Sequence, residues 1–159
     1  MTDTLTVTAH GEREIVMTRV FDARREVVFE ALTRADLMRR WLYGPDEWPI
    51  EVCQSDPRAG GALRLVWRHR DGRTMGLSGA YREVTPPARI MHTELFDEDW
   101  TGGEALVTTI LTERAGRTIM TMAVLYASRD ARDAVLRSPM EQGASQSYDR
   151  LATLLDAPR

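Results

Sequence analysis

The spacing of apolar positions divides the chain into a strand, a helical region, a series of strands and a final helix. Residues 13–21, REIVMTRVF, alternate with a period of two, which predicts a first strand. Over residues 22–42 the period lengthens to about 3.6, which predicts two short helices ending at Gly44, with Asp22 as the first cap. Beyond Pro49 the period returns to two, so strands follow.

Short turn signals divide the second strand region. The connections RDGR, TPP and ERAGR are short enough for hairpins, so we expect an antiparallel meander. Gly60 and Gly61 precede a strand rather than a helix, which indicates a turn and not a phosphate-binding loop. With the first strand, the sheet has six or seven strands, and the later ones are predicted at residues 50–55, 62–69, 75–84, 88–96, 104–113 and 117–127.

The last predicted element is a long helix. Ser138 is a suitable N-cap, Pro139 suits the first turn and Glu141 occupies the capping-box position. Gly143 lies inside this helix, where it costs about 1 kcal/mol relative to alanine. It indicates a close approach to the sheet, room for a ligand, or a position on the solvent face where glycine is tolerated. The order of elements predicts an α+β domain over residues 13–157, after a flexible segment at residues 1–12.

Length, composition and charge exclude several classes of protein. The chain of 159 residues and 18.0 kDa fits one domain, and Cys53 is its only cysteine, so neither a disulfide nor a thiolate metal site is expected. A net charge of −3 with mixed signs argues against nucleic acid as a partner. No apolar run approaches the roughly 18 residues of a membrane span, so we expect a cytoplasmic protein that does not bind membranes. No phosphate, metal or cofactor motif is present, and we expect no cofactor.

Alternation along the strands collects apolar and aromatic side chains on one face of the sheet. The final helix would cover them with Met140 and Tyr148. Two interpretations stay open. The residues form either a packed core or the wall of a cavity whose methionines accommodate apolar ligands of irregular shape. The candidate wall residues on the strands are Trp67, His69, Tyr81, Met120, Met122 and Tyr126.

His92 and Glu94 share one strand face, two residues apart. A carboxylate in this position can hold an imidazole, and such a pair facing an apolar cavity suits general acid–base chemistry. They are the catalytic candidates of the chain, with Tyr81 or Tyr126 orienting a substrate. The alternative is that the two groups only satisfy each other or line a wet rim.

Five segments carry a resemblance to a known family. They are RVFDARREVVFEALT, LMRRW, DPRAGGALR, GAYREVTPPARIMHTE and MEQGASQSYDRLATLL. In sequence and spacing they resemble the bacterial proteins called activator-of-heat-shock-protein-90-ATPase-like, within the START-like or SRPBCC superfamily. The resemblance implies a helix-grip fold, in which a curved antiparallel sheet wraps around the long C-terminal helix and encloses a cavity. It does not imply one reaction.

Three functions follow from the residues and the resemblance. The first is non-enzymatic binding of an apolar or aromatic small molecule between the sheet and the final helix. The second is an enzyme of the polyketide cyclase or aromatase type. The third is a chaperone ATPase-activating module, which we rank lowest because residues 1–12 leave no room for the additional N-terminal domain of the eukaryotic co-chaperone. A homodimer through exposed strand or loop surfaces is the expected assembly.

Overall fold

The computed structural model describes residues 4–156. Those residues form eight strands and four helices. The strands are β1 (Thr6–His10), β2 (Glu14–Phe21), β3 (Ile50–Ser55), β4 (Ala62–Arg68), β5 (Thr74–Thr85), β6 (Arg89–Phe96), β7 (Ala105–Arg114) and β8 (Arg117–Leu125). The helices are α1 (Arg25–Thr33), α2 (Ala35–Met38), α3 (Arg129–Arg137) and α4 (Met140–Asp156).

All eight strands belong to one antiparallel sheet in the order β1-β2-β8-β7-β6-β5-β4-β3. The meander from β3 to β8 is confirmed, and β2 joins it beside β8. Register shifts between Ile50 and Val52 and between Tyr81 and Glu83 interrupt two ladders. Since bulges of this kind bend strands and increase their twist, they contribute to the curvature of the sheet around α4. The α+β class and the helix-grip arrangement are therefore present.

Two elements were not expected from the sequence. Strand β1, which brings the number of strands to eight, lies within the segment expected to be loose; four of its five residues are exposed, so apolar alternation gives no signal. Helix α3 buries Arg132 beside Ala131 and Val135, and a charged residue on the inner face masks the helical period. Arg132 Nη1 donates to the carbonyls of Gly11 at 3.1 Å and Glu14 at 2.9 Å, which ties α3 to the β1–β2 turn.

The helix starts differ in part from the predicted caps. Asp22 is not a cap, because α1 begins at Arg25. The Arg25 amide instead donates to Glu113 Oε1 at 2.9 Å, so a side chain of the sheet satisfies this helix end. At α4, the Met140 amide donates to Ser138 Oγ at 3.3 Å, which agrees with the predicted capping role of Ser138.

The packed core lies between α1, α4 and the β2–β8–β7 part of the sheet. Phe21, Leu111, Met120 and Leu151 are almost fully buried there. Arg19 is also on this inner face, only 2 % exposed, and its Nη1 donates to Asp149 Oδ1 of α4 at 2.7 Å. Toward β4, β5 and β6 the helix and the sheet no longer meet, and a cavity separates them.

None of the helices within residues 4–156 is long and apolar enough to cross a membrane.

Candidate ligand-binding cavity

A cavity of about 600 Å³ lies between strands β4–β6 and the first half of α4. Leu65, Leu77 and Ile90 form part of its sheet side. Met140 and Tyr148 lie on its helix side, and the segment from α2 to β3 closes a third side. The wall is therefore mainly apolar and combines residues that lie far apart in the sequence.

The cavity concentrates the aromatic residues of the protein. All four tryptophans line it: Trp41, Trp48, Trp67 and Trp100. The indole N–H of Trp41 donates to the Ala31 carbonyl at 2.9 Å, and that of Trp67 donates to the Leu42 carbonyl at 2.9 Å. Backbone acceptors thus satisfy these two indoles, which leaves their apolar ring surfaces for the cavity.

A smaller cavity of about 210 Å³ adjoins the first toward β7 and β8. Glu94, Met122 and Tyr148 line both cavities, whereas Tyr126 and Val124 line only the smaller one. Glu94 thus borders both spaces, and a ligand that extends from one into the other would pass its carboxylate.

The His92–Glu94 pair is formed. His92 Nε2 and Glu94 Oε2 are 2.9 Å apart. An ionised carboxylate only accepts hydrogen bonds, so the imidazole donates from Nε2. His92 Nδ1 is buried with no hydrogen-bond partner among the described residues. One ring nitrogen is therefore used by Glu94 and the other is inaccessible, so the imidazole holds the carboxylate and Glu94 is the member of the pair that can reach a ligand.

The tyrosines near Glu94 are neutral donors. Burial, and to a smaller extent the negative charge of Glu94, raise the pKa of Tyr148 and of Tyr126. The Tyr148 hydroxyl lies 3.7 Å from Met122 Sδ, a weak acceptor. Neither phenol loses its proton near neutral pH, so the wall gains no second negative charge from them.

Tyr81 contributes its ring, and not its hydroxyl, to the cavity wall. Ser55 Oγ donates to the Thr33 carbonyl at 2.6 Å, so the Tyr81 hydroxyl, 2.7 Å from Ser55 Oγ, is the donor in that contact. The backbone of Tyr81 is also fixed, because its carbonyl accepts from the Gly60 amide at 2.8 Å and its amide donates to the Gly61 carbonyl at 2.9 Å. Gly60 has a φ of +86°, a torsion that favours glycine. The glycine pair is thus a turn that anchors β5.

The segment after α2 is fastened to α4 at the cavity entrance. Arg150 Nη2 donates to the Gly44 carbonyl at 2.9 Å and to Asp46 Oδ1 at 2.5 Å, and its guanidinium lies 4.1 Å from the centre of the Tyr43 ring. Gly44 itself meets Gly143: a Cβ at position 44 would lie 2.9 Å from the Gly143 Cα. Close backbone approach therefore accounts for the glycine at position 44.

The comparisons with known proteins agree with this architecture. Residues 22–156 match the model of the family described as Activator of Hsp90 ATPase homolog 1-like protein. The chain belongs to this family. The resemblance predicted from the sequence is thereby confirmed.

Solved structures of related bacterial proteins share the fold of this chain. A protein from Rhodobacter sphaeroides is 38% identical, with a TM-score of 0.93 over 98% of this chain and 100% of that one. A protein from Chromobacterium violaceum is 25% identical, with a TM-score of 0.80 over 92% and 99%. A Silicibacter pomeroyi protein is 23% identical, with a TM-score of 0.73 over 89% and 96%, and shows the fold alone. No curated protein matches the chain.

The structure brings most of the predicted wall residues of this family member together. Met120 is an exception, since it is fully buried in the core. His69 is the other: β4 ends at Arg68, and His69 Nδ1 lies 2.9 Å from Asp71 Oδ1 outside the cavity. The larger cavity is lined by Trp67, Tyr81, His92, Glu94, Met122, Met140 and Tyr148, and the smaller by Tyr126.

Sequence reasoning did not assign several wall residues of the domain. Trp41 is only 2 % exposed, and it also lines the cavity. Trp100 lies in the β6–β7 connection and Tyr43 in the segment after α2, where no periodicity indicates a direction. Their aromatic character outside regular elements is the only signal in the sequence.

Proposed function

We propose that the protein binds an apolar or aromatic small molecule in this cavity and releases it unchanged. The main support for the proposal is the size of the cavity. Its volume of about 600 Å³ falls in the range of roughly 300–1,000 Å³ that is common for small-molecule sites. Apolar and aromatic side chains with a few polar groups are the usual lining of such sites.

Packing supports a ligand rather than a loosely filled core. Protein interiors are close-packed, and large empty apolar spaces cost stability. A Cβ at position 143 of α4 would meet no atom within 4 Å, although Gly143 lines the cavity. A side chain added at this lining position therefore has open space around it, which makes position 143 suitable for a substitution that tests the cavity.

Native mass spectrometry after incubation with an organic extract of bacterial cells tests the proposal. We expect a retained species of discrete mass, with one molecule per chain. Gly143→Leu places a side chain at the wall and should abolish retention, whereas Thr153→Leu, at an exposed position of the same helix, should retain it. Retention that is equal in both variants, or absent from the wild type, contradicts the proposal.

The formed His92–Glu94 pair favours a second candidate, an acid–base enzyme of the polyketide cyclase or aromatase type. In this case Glu94 transfers the proton and His92 holds it in place, because the free nitrogen of His92 is buried. A poly-β-keto thioester is the substrate to test. His92→Ala and Glu94→Gln should lose turnover and keep affinity for the substrate; unchanged turnover in both variants refutes this candidate.

A further inference from the structure

Within residues 4–156, the walls of the two cavities contain one carboxylate and neither a lysine nor an arginine. Among the described residues that line them, Glu94 is the only Asp, Glu, Lys or Arg. Two arginines that contact wall segments are themselves paired: Arg150 with Asp46, and Arg73, beside the Trp48 ring, with Asp71. The described part of the wall therefore offers an incoming ligand a carboxylate held by the His92 imidazole, and neither a lysine nor an arginine.

The Glu94 carboxylate can also accept more hydrogen bonds than the protein gives it. An ionised carboxylate has about four lone-pair sites, and among the described residues the structure gives Glu94 one hydrogen bond, from His92. The carboxylate is partly exposed, whereas its partner His92 is largely buried. A carboxylate that is partly removed from water and has few donors is stabilised when a cation or further donors reach it. A ligand can therefore supply a further hydrogen-bond donor that the cavity wall does not give to Glu94.

The aromatic wall adds a second attraction for the same kind of group. The faces of aromatic rings carry partial negative charge and attract cations, and rings that line a desolvated site do so most strongly. Trp41, Trp67 and Tyr148 lie in the cavity wall together with Glu94, and the centroids of the Trp41 and Tyr148 rings are 5.5 Å apart. Carboxylate ligands, by contrast, would meet Glu94 and these ring faces without any cation to pair with.

We propose that the cavity selects apolar or aromatic amines, with the ammonium group at Glu94 and the apolar part between the tryptophans. This inference rests on the proposed function, since it requires a ligand in the cavity, and it adds the chemical class of that ligand. His92 is then a positioning residue, because it holds the carboxylate that pairs with the amine.

Three compounds that share one skeleton test the selection: 4-phenylbutylamine, 4-phenylbutanol and 4-phenylbutanoate. Binding is measured by calorimetry and by tryptophan fluorescence, which reports on the cavity because all four tryptophans line it. We expect the amine to bind at least about tenfold more tightly than the alcohol, which corresponds to about 1.4 kcal/mol, and the carboxylate to bind more weakly than the alcohol. Equal affinities, or a preference for the carboxylate, overturn the inference.

Variants assign the effect to one residue. Glu94→Gln keeps the size of the side chain and an acceptor for His92 but removes the charge, so the preference for the amine should vanish while the affinity for the alcohol stays within about twofold. Glu47→Gln makes the same charge change at an exposed position outside the cavity and should behave as the wild type. A thermal melt checks that each variant is folded, and Glu94→Leu repeats the test if the amide variant unfolds.

The outcomes separate this inference from the proposed function. If the alcohol binds and the amine has no advantage, a ligand cavity exists but it does not select amines. If Glu94→Gln retains the amine preference, the selection exists but Glu94 is not its cause, and the inference is wrong. If none of the three compounds binds at millimolar concentration and the neutral dye N-phenyl-1-naphthylamine also fails to bind, the proposed function fails together with the inference.

Discussion

Replacement of Gly44 or Gly143 by alanine should change stability in opposite directions. At position 44 the new Cβ would lie 2.9 Å from the Gly143 Cα and 3.2 Å from its carbonyl oxygen. Neither neighbour is a flexible side chain, and Arg150 holds the same loop to α4, so we expect a loss typical of overpacking, about 1–3 kcal/mol. At position 143 the Cβ meets nothing within 4 Å, so Gly143→Ala should gain up to about 1 kcal/mol from helix propensity.

Urea denaturation followed by circular dichroism measures this difference. The two variants have the same composition change, and we expect their free energies of unfolding to differ by about 1–4 kcal/mol, the sum of the two effects. A neutral Gly44→Ala would mean that the loop is not held against the helix. A loss of stability in Gly143→Ala would mean that the space beside position 143 is not open, which would also weaken the argument for a ligand there.

Two further predictions concern buried polar groups. Arg132→Met removes the donor to the β1–β2 turn and should cost about 2 kcal/mol; hydrogen exchange should accelerate at residues 10–14, and unchanged exchange would contradict the role of the arginine. Burial raises the pKa of Tyr148 above its ordinary value of 10.0, so the unfolded chain loses this proton first and stability falls as the pH rises past that value. Compared with Tyr148→Phe, the wild type should lose up to about 1.4 kcal/mol more per pH unit in unfolding experiments at alkaline pH, and parallel pH curves would refute the assignment.

Periodicity predicted the elements that have one buried face. The strands β3–β8 and helix α4 each repeat apolar residues at the spacing of their class, and all of them are present. The same signal fails for β1, which has little buried surface, and for α3, whose inner face includes Arg132. Their stability depends on a ladder with β2 and on hydrogen bonds between segments far apart in sequence.

The sequence predicted which residues face inward, but not which of them line the cavity. Alternation shows that Met120 and Met122 both face inward, yet Met120 is packed in the core and Met122 borders the cavity. Whether a space is filled depends on how α4 lies on the sheet, which no local pattern contains. In the same way, the spacing of His92 and Glu94 predicts their contact, but only the burial of His92 Nδ1 indicates that Glu94 is the group available to a ligand.

The most direct test of the ligand cavity is a nuclear magnetic resonance titration with a neutral apolar compound. The four indole N–H groups give four separate signals, and all four rings line the cavity. With 4-phenylbutanol we expect saturable shifts of these indole signals and of the Ala144 and Ser147 amides on α4, while the amides of the exposed strand β1 stay unchanged. Absent shifts, or shifts that spread over β1 and do not saturate, would contradict a binding cavity between the sheet and α4.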